Sequence, residues 1–254
     1  MRRASLSVLA YLALVAVAVP ARSAEAPAAP LPAPRVRVVL NGMGAFTNPS
    51  FSTTRQYAEY AETASVSSSY STQTGFGPDL ALQLSLYRGF GLLVGYSLAS
   101  RSEDGRFDVK RPHPLYLNRP RSVSGELTGF DYEEGAVHLD LAYGRGAGRL
   151  DWSLFAGASL FQVEADLLGE ISYSDSYPYD ELAVASAPAR SVKQSPTGFT
   201  VGGRLDYRFG RSFGAGVLLR YSTASVKLRA TADATEASFD AGGLQLGAGL
   251  RLYF

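Results

Sequence analysis

The 254-residue chain contains no cysteine, which excludes disulfides and thiolate metal sites. Its two histidines, His113 and His138, stand apart in the sequence and form no cluster with metal-ligand spacing. Neither sign of charge dominates, with 24 Lys and Arg against 23 Asp and Glu. That balance argues against nucleic acid as a partner, which would require a basic face. After residue 34 no stretch reaches 18 consecutive apolar residues, so a helical membrane span is excluded. Glycine pairs such as "GAGL" are followed by no helix and no Lys-Ser/Thr, which removes the phosphate-loop reading. No cofactor and no metal are expected.

What is abundant points to strands: 26 Gly, 15 Tyr and 13 Phe, with one Trp and two Met. The start, "MRRASLSVLAYLALVAVAVPARSAEA", reads as a cleaved signal peptide over residues 1–24. It has a basic Arg2-Arg3 head, an apolar run from Leu6 to Val19 and small residues at the candidate cleavage points. The protein is therefore expected to be exported, and removal of three arginines leaves a mature net charge of −2. Residues 25–34, "EAPAAPLPAP", form an extended Pro/Ala-rich leader. Residues 35–254 are the folded domain.

Across that domain apolar residues recur with period two. "PDLALQLSLY" sets Leu80, Leu82, Leu84 and Leu86 against Asp79, Ala81, Gln83 and Ser85; "AVHLDLAYG" sets Val137, Leu139 and Leu141 against His138 and Asp140. Eight such stretches follow one another, the last being "GGLQLGAGLRLYF". Short connections ("RGFG", "GRGAGR", "GRS") alternate with connections of about 29, 34, 30 and 14 residues. The fold class expected is all-β, an eight-stranded antiparallel transmembrane barrel with short periplasmic turns and long extracellular loops. Ten strands result if the first or third long loop adds a membrane-depth hairpin. The polar face is rich in Gly, Ala and Ser, which suits a crowded lumen and not a solvated exterior. Aromatics predict one girdle at the short turns (Tyr87, Phe90, Tyr143, Trp152, Tyr207, Phe209, Phe213, Tyr253, Phe254). Phe46, Phe76, Phe161, Phe199 and Tyr221 are candidates for the opposite one.

With its signal peptide, eight alternating stretches and terminal aromatic, the chain resembles the small outer-membrane β-barrel family, the OmpA/OmpX-like group, over roughly residues 35–254. The resemblance implies residence in the bacterial outer membrane. It also implies that Leu250, Leu252 and Phe254 form the signal read by the outer-membrane assembly machinery. Leu252 stands where many members carry Tyr or Phe. No peptidoglycan-binding domain follows the last strand, so a cell-wall tether is not implied.

Inward-facing charges are the main candidate site. Arg37, Asp79, His138, Asp140, Arg204, Asp206, Arg220 and Arg251 fall on the lumen face, with Asp151 beside them, and are expected to pair into a network centred on Arg37, Arg251, Asp140 and Asp206 that plugs the barrel. His138 invites comparison with lipid A-modifying barrels, but "VHLDL" turns it inward and places no Ser at the needed offset on its strand. The second long loop is basic. Lys110, Arg111, Arg119 and Arg121 either contact lipopolysaccharide phosphates through charge-assisted hydrogen bonds or lie in a solvated loop balanced by neighbouring acids. Its "KRPHPLYLNRPR" core is expected to be extended and exposed.

These features favour a non-enzymatic outer-membrane protein with a structural or surface-interaction role through its loops. Its partners would be outer-membrane lipid, lipopolysaccharide, the assembly machinery and an unidentified surface protein or glycan. A small-solute channel with a gated lumen is the alternative, and a lipid A-modifying enzyme the second. Deleting Phe254 is expected to lower the membrane-inserted fraction, measured by heat-modifiable gel migration; insertion at the normal level contradicts that role.

Overall fold

The computed structural model describes residues 34–229, 231 and 233–254; the segment expected to be a signal peptide and nearly all of the expected leader lie outside them. Thirteen strands and no helix occur among these residues. They are β1 (Val36–Ala45), β2 (Ser50–Glu59), β3 (Glu62–Thr72), β4 (Gly75–Tyr87), β5 (Phe90–Arg111), β6 (Arg121–Ala147) and β7 (Leu150–Leu168). The rest are β8 (Ser172–Ser174), β9 (Ala183–Ser186), β10 (Ala189–Gln194), β11 (Thr197–Arg208), β12 (Phe213–Leu228) and β13 (Ala237–Tyr253). Eight of them close a ring in the order β1-β4-β5-β6-β7-β11-β12-β13, every pairing antiparallel. Closure runs from Arg37 opposite Tyr253 to Ala45 opposite Gln245. Hydrogen bonds from Phe254 N to Val36 O and from Val36 N to Phe254 O extend it by one residue.

Strand length divides the molecule into two storeys. About 9–11 tilted residues suffice for a strand to cross a bilayer, whereas β5 has 22 and β6 has 27. The excess rises above the ring as a second storey. There the hairpin β2–β3 takes the place of β1 and β4 by pairing β3 to the upper part of β5, from Ser65 opposite Lys110 to Thr72 opposite Glu103. On the far side β10 takes the place of β11 by pairing with β7. The long connections are thus largely strand, and the first forms its hairpin above the ring, not within it.

On β5, β7 and β12 the exterior changes chemistry between the storeys while side-chain direction does not; β6 slips by one residue near Gly129, between the buried Leu127 and Phe130. On β5 the outward residues run Leu92, Val94, Tyr96, Leu98 and then Ser100, Ser102, Asp104, Arg106, Asp108. The inward set begins with Leu93 and Ser97 and ends with Phe107 and Val109. On β12 the outward set changes from Val217, Leu219, Tyr221 to Thr223, Ser225, Lys227, and on β7 from Leu154 and Leu160 to Gln162 and Glu164. Below the change, apolar side chains face outward around a polar interior, as hydrocarbon contact demands. Above it, Phe51, Phe107, Phe130, Val163, Leu167, Val226 and Phe239 fill the inside and polar side chains face water, the order of a soluble barrel.

Two aromatics depart from the expected girdles because they occupy inward positions. Phe161 sits just past the change on an inward position and is buried, its ring edge-on to His138 with centroids 6.4 Å apart. Tyr253 is buried too, with Arg37 and Arg208 stacked on its ring at 5.1 and 4.8 Å. Phe46, Phe76, Phe199 and Tyr221 remain exposed at the upper edge of the apolar band, and Tyr87, Phe90, Trp152, Tyr207, Phe209, Phe213 and Phe254 at the short-turn edge.

A polar layer lies where the two interiors meet. Arg101 faces Glu134 at 3.7 Å, and Glu134 accepts from Tyr132 Oη and Gly242 N, both at 3.1 Å. Glu103, one inward step above Arg101, is buried with no hydrogen-bond partner among the described residues. Burial, and secondarily the Asp166 carboxylate, push its carboxyl up to about 8. The folded form therefore holds a proton that the unfolded chain releases near pH 4.5, so stability falls as pH rises from about 4.5 to 8. Urea unfolding in lipid vesicles should show that fall in wild type and a flatter profile in Glu103→Gln; identical profiles contradict the assignment.

Candidate functional site

Within the lower storey the inward positions of β1, β7, β11 and β13 converge on Asp206. Its carboxylate receives Arg37 Nη1 at 2.8 Å and Arg251 Nε at 2.6 Å, and Arg204 Nε lies 3.1 Å away. Arg37 bridges onward to Asp151 at 3.2 Å, and Arg208 Nε donates to the same carboxylate at 2.6 Å. Arg204 also donates to Gln83 across the barrel. Arg251 Nη1 donates to Asn41 Oδ1 at 2.7 Å, Asn41 donates to Asp79 at 2.7 Å, and Asp79 accepts from Arg220 at 2.6 Å. The chain of contacts therefore spans the lumen laterally and climbs from the short turns to mid-height. Arg251 is 0 % exposed and Asp206 1 %, so neither lies on an open water path.

The lumen glycines make room for these carboxylates. A Cβ on Gly216, opposite Asp206 in the β11–β12 register, would lie 2.1 Å from Asp206 Oδ1. One on Gly157, opposite Asp140, would lie 2.6 Å from Asp140 Oδ1. Alternation placed the glycines on the correct face; their pairing with particular aspartates depends on register.

Asp140 does not join the network expected to centre on it. It is buried, and its oxygens have no hydrogen-bond partner among the described residues. Its inward neighbour His138 is held between Ser97 Oγ, 2.9 Å from Nε2, and Ser159 Oγ, 2.8 Å from Nδ1. The serines come from the two flanking strands, β5 and β7, and the imidazole is 1 % exposed, so His138 is enclosed in the barrel wall. Arg208 and Asn41 are the members that sequence reasoning missed. Arg208 shares parity with Arg204 and Asp206, which was a usable signal; Asn41 likewise shares the inward parity of Arg37.

At the outer tip the basic loop is folded against acids. Arg111 is paired with Glu59 and lies 3.5 Å from Asp175, with its guanidinium 4.2 Å over the Tyr173 ring. The Glu59 hydrogen bond raises the Arg111 pKa further, so it stays charged. Buried Arg121 reaches Asp175 at 3.1 Å and the carbonyls of Pro112 and Tyr179, and Arg119 lies 3.3 Å from Asp180. His113 is buried, its Nδ1 accepting from Leu115 N at 3.1 Å. The "KRPHPLYLNRPR" segment is thus a latched turn, because three acidic partners from the first and third loops reach its arginines. Of the four basic residues expected at lipopolysaccharide, Lys110 alone has no carboxylate partner among the described residues.

No protein-family model and no curated protein sequence matches the chain. Solved structures do match. The outer membrane protein OprG from Pseudomonas aeruginosa aligns with TM-score 0.56 at 11% identity, covering 89% of this chain and 98% of that one. Neisserial surface protein A aligns with TM-score 0.43 at 13% identity over 86% and 97% of the two chains. The Yersinia pestis attachment invasion locus protein Ail aligns with TM-score 0.36 at 11% identity over 85% and 99%. The first of these carries the assignment, and it concerns fold: the chain has the architecture of the small eight-stranded outer-membrane barrels.

Removing one partner from a buried ionic cluster leaves the others uncompensated. Asp206→Ala is expected to destabilise the barrel by about 3–5 kcal/mol in urea titrations in lipid vesicles. Lys193→Ala, which breaks an exposed pair with Glu164, should leave the midpoint unchanged. Similar effects from both contradict a structural role for the network.

Proposed function

We propose that the protein is a non-enzymatic, non-conducting barrel of the bacterial outer membrane, whose second storey presents a rigid surface for interaction outside the bilayer. The observation that carries this reading is closure of the interior at successive levels. The Asp206 network and the Asp79–Arg220 pair cross the lower lumen. Tyr132 and Phe161 lie at 0 % and 2 % exposure above them, beneath a packed apolar core. A hydrated solute path needs groups free to exchange partners with water, whereas these guanidiniums and carboxylates are tied to one another. The loop latch built from Arg111, Arg121, Glu59 and Asp175 closes the top.

The partners follow from the surfaces. The apolar band takes membrane lipid, and the ending Leu250, Leu252 and Phe254, exposed or half-buried at the end of β13 and just past it, is offered to the assembly machinery. Contact with lipopolysaccharide phosphate narrows to Lys110, since the carboxylates of neighbouring loops engage the other three basic residues. The exterior of the second storey alternates charge along β5 (Asp104, Arg106, Asp108, Lys110) between hydroxyl-rich β3 and β6, a surface for polar protein or glycan ligands.

Planar-bilayer recordings and liposome swelling with the purified protein are expected to show no steady conductance and no sugar uptake. Large steady openings would overturn this reading in favour of a gated channel. A change in lipid A mass on expression would overturn the non-enzymatic part.

A further inference from the structure

Outside the lumen, the rim of the barrel at its short-turn end is basic and carries no exposed acid. Arg88, Arg145, Arg149 and Arg211 stand exposed on or beside the three short turns, and none of them has a carboxylate partner among the described residues. The side-chain carboxylates at this end, Asp151 and Asp206, are buried and committed to the lumen network. At the opposite end exposed arginines do meet acids, Arg119 lying 3.3 Å from Asp180 and Arg229 2.9 Å from Glu236.

Two of the four rim arginines frame a recess in the lipid-facing wall. Leu150, Tyr207, Ala215 and Leu250 lie side by side in one outward row across β7, β11, β12 and β13, with Leu205, Val217 and Ala248 in the row above. Alanine at 215 and 248, among larger neighbours, leaves an apolar groove of about 670 Å³ there. Arg149 directly precedes Leu150, and Arg211 lies on the turn that joins Tyr207 to Ala215. Tyr207, Phe209 and Phe213 mark the same level as the headgroup zone.

We propose that this wall binds an anionic phospholipid of the adjoining leaflet, its phosphate held by Arg149 and Arg211 and an acyl chain lying in the groove. Charge complementarity selects this occupant, because guanidiniums pair with phosphate through parallel N–H donors. A second copy on the same wall would set identical arginines against one another. The site lies outside the barrel wall, so it is independent of whether the protein conducts; it rests on the membrane reading given above.

Trp152, the single tryptophan of the chain, stands exposed beside Leu205 on this wall, so its fluorescence reports the neighbouring lipid. The protein is reconstituted in mixed vesicles of phosphatidylcholine and phosphatidylglycerol. Either one lipid or the other carries brominated acyl chains, which quench tryptophan on contact. Selection of phosphatidylglycerol by about tenfold is expected beside Trp152, falling to about twofold or less when Arg149→Gln and Arg211→Gln are combined. Arg190→Gln, exposed on β10 in the second storey, should retain the wild-type selection. Equal quenching by the two lipids in wild type, or selection undiminished by the double substitution, overturns the proposal. Quenching by neither lipid, as a protein partner covering the wall would cause, overturns it too. Heat-modifiable migration is read on the same samples. A wild-type chain that fails to insert overturns the membrane reading and this proposal with it, whereas an inserted chain quenched equally overturns the lipid site alone.

Discussion

The ring strands that continue into the second storey must satisfy lipid and water in turn, and on β5, β7 and β12 they do so without changing which way their side chains point. Direction is set by the pleat, with successive residues on opposite faces, and a shift of one residue would move each side chain to the wrong face. On these strands only residue type changes. It does so between Leu98 and Ser100 on β5, Leu160 and Gln162 on β7, and Tyr221 and Thr223 on β12. The interior mirrors the change: charged and small below, aromatic and branched above. Both storeys share the ring strands β5, β6, β7, β12 and β13.

The interior then has to be filled by what the exterior leaves. Where lipid takes the apolar side chains, the lumen holds guanidiniums and carboxylates that must neutralise one another. Asp206 serves three arginines and Asp151 two, with glycines such as Gly216 opposite to make space. Where water takes the polar side chains, the inside packs as an ordinary core around Phe51, Tyr70 and Phe239, whose rings stack at 4.7–4.9 Å. Arg101, Glu103 and Glu134 sit at the join because neither rule fully governs that layer.

Much of this was legible in the sequence. Alternation, glycine-rich lumen positions and the contrast of short and long connections specify eight strands and the inward side of Arg37, Asp206 and Arg251. Less legible was anything that depends on register between strands. Asp140 and Asp206 look equivalent along the chain, yet three arginines reach one and none hydrogen-bonds the other. The second storey was obscured because its strands invert the apolar pattern: reading the long connections as loops hid Phe107, Val109, Val163 and Val226 as core. The basic loop pairs with acids about 50 to 60 residues away, which composition alone does not match to one another.

The central claim is the position of that change from lipid-facing to water-facing exterior. Because the chain has no native cysteine, single cysteines can be spin-labelled along the outward face of β5 in lipid vesicles. The labels are probed for collision with oxygen, which concentrates in hydrocarbon, and with a polar nickel chelate. The account predicts oxygen-dominated accessibility at 94, 96 and 98 and nickel-dominated accessibility at 102, 104 and 106. Oxygen-dominated accessibility continuing through 106, or nickel-dominated accessibility at 94, would contradict it.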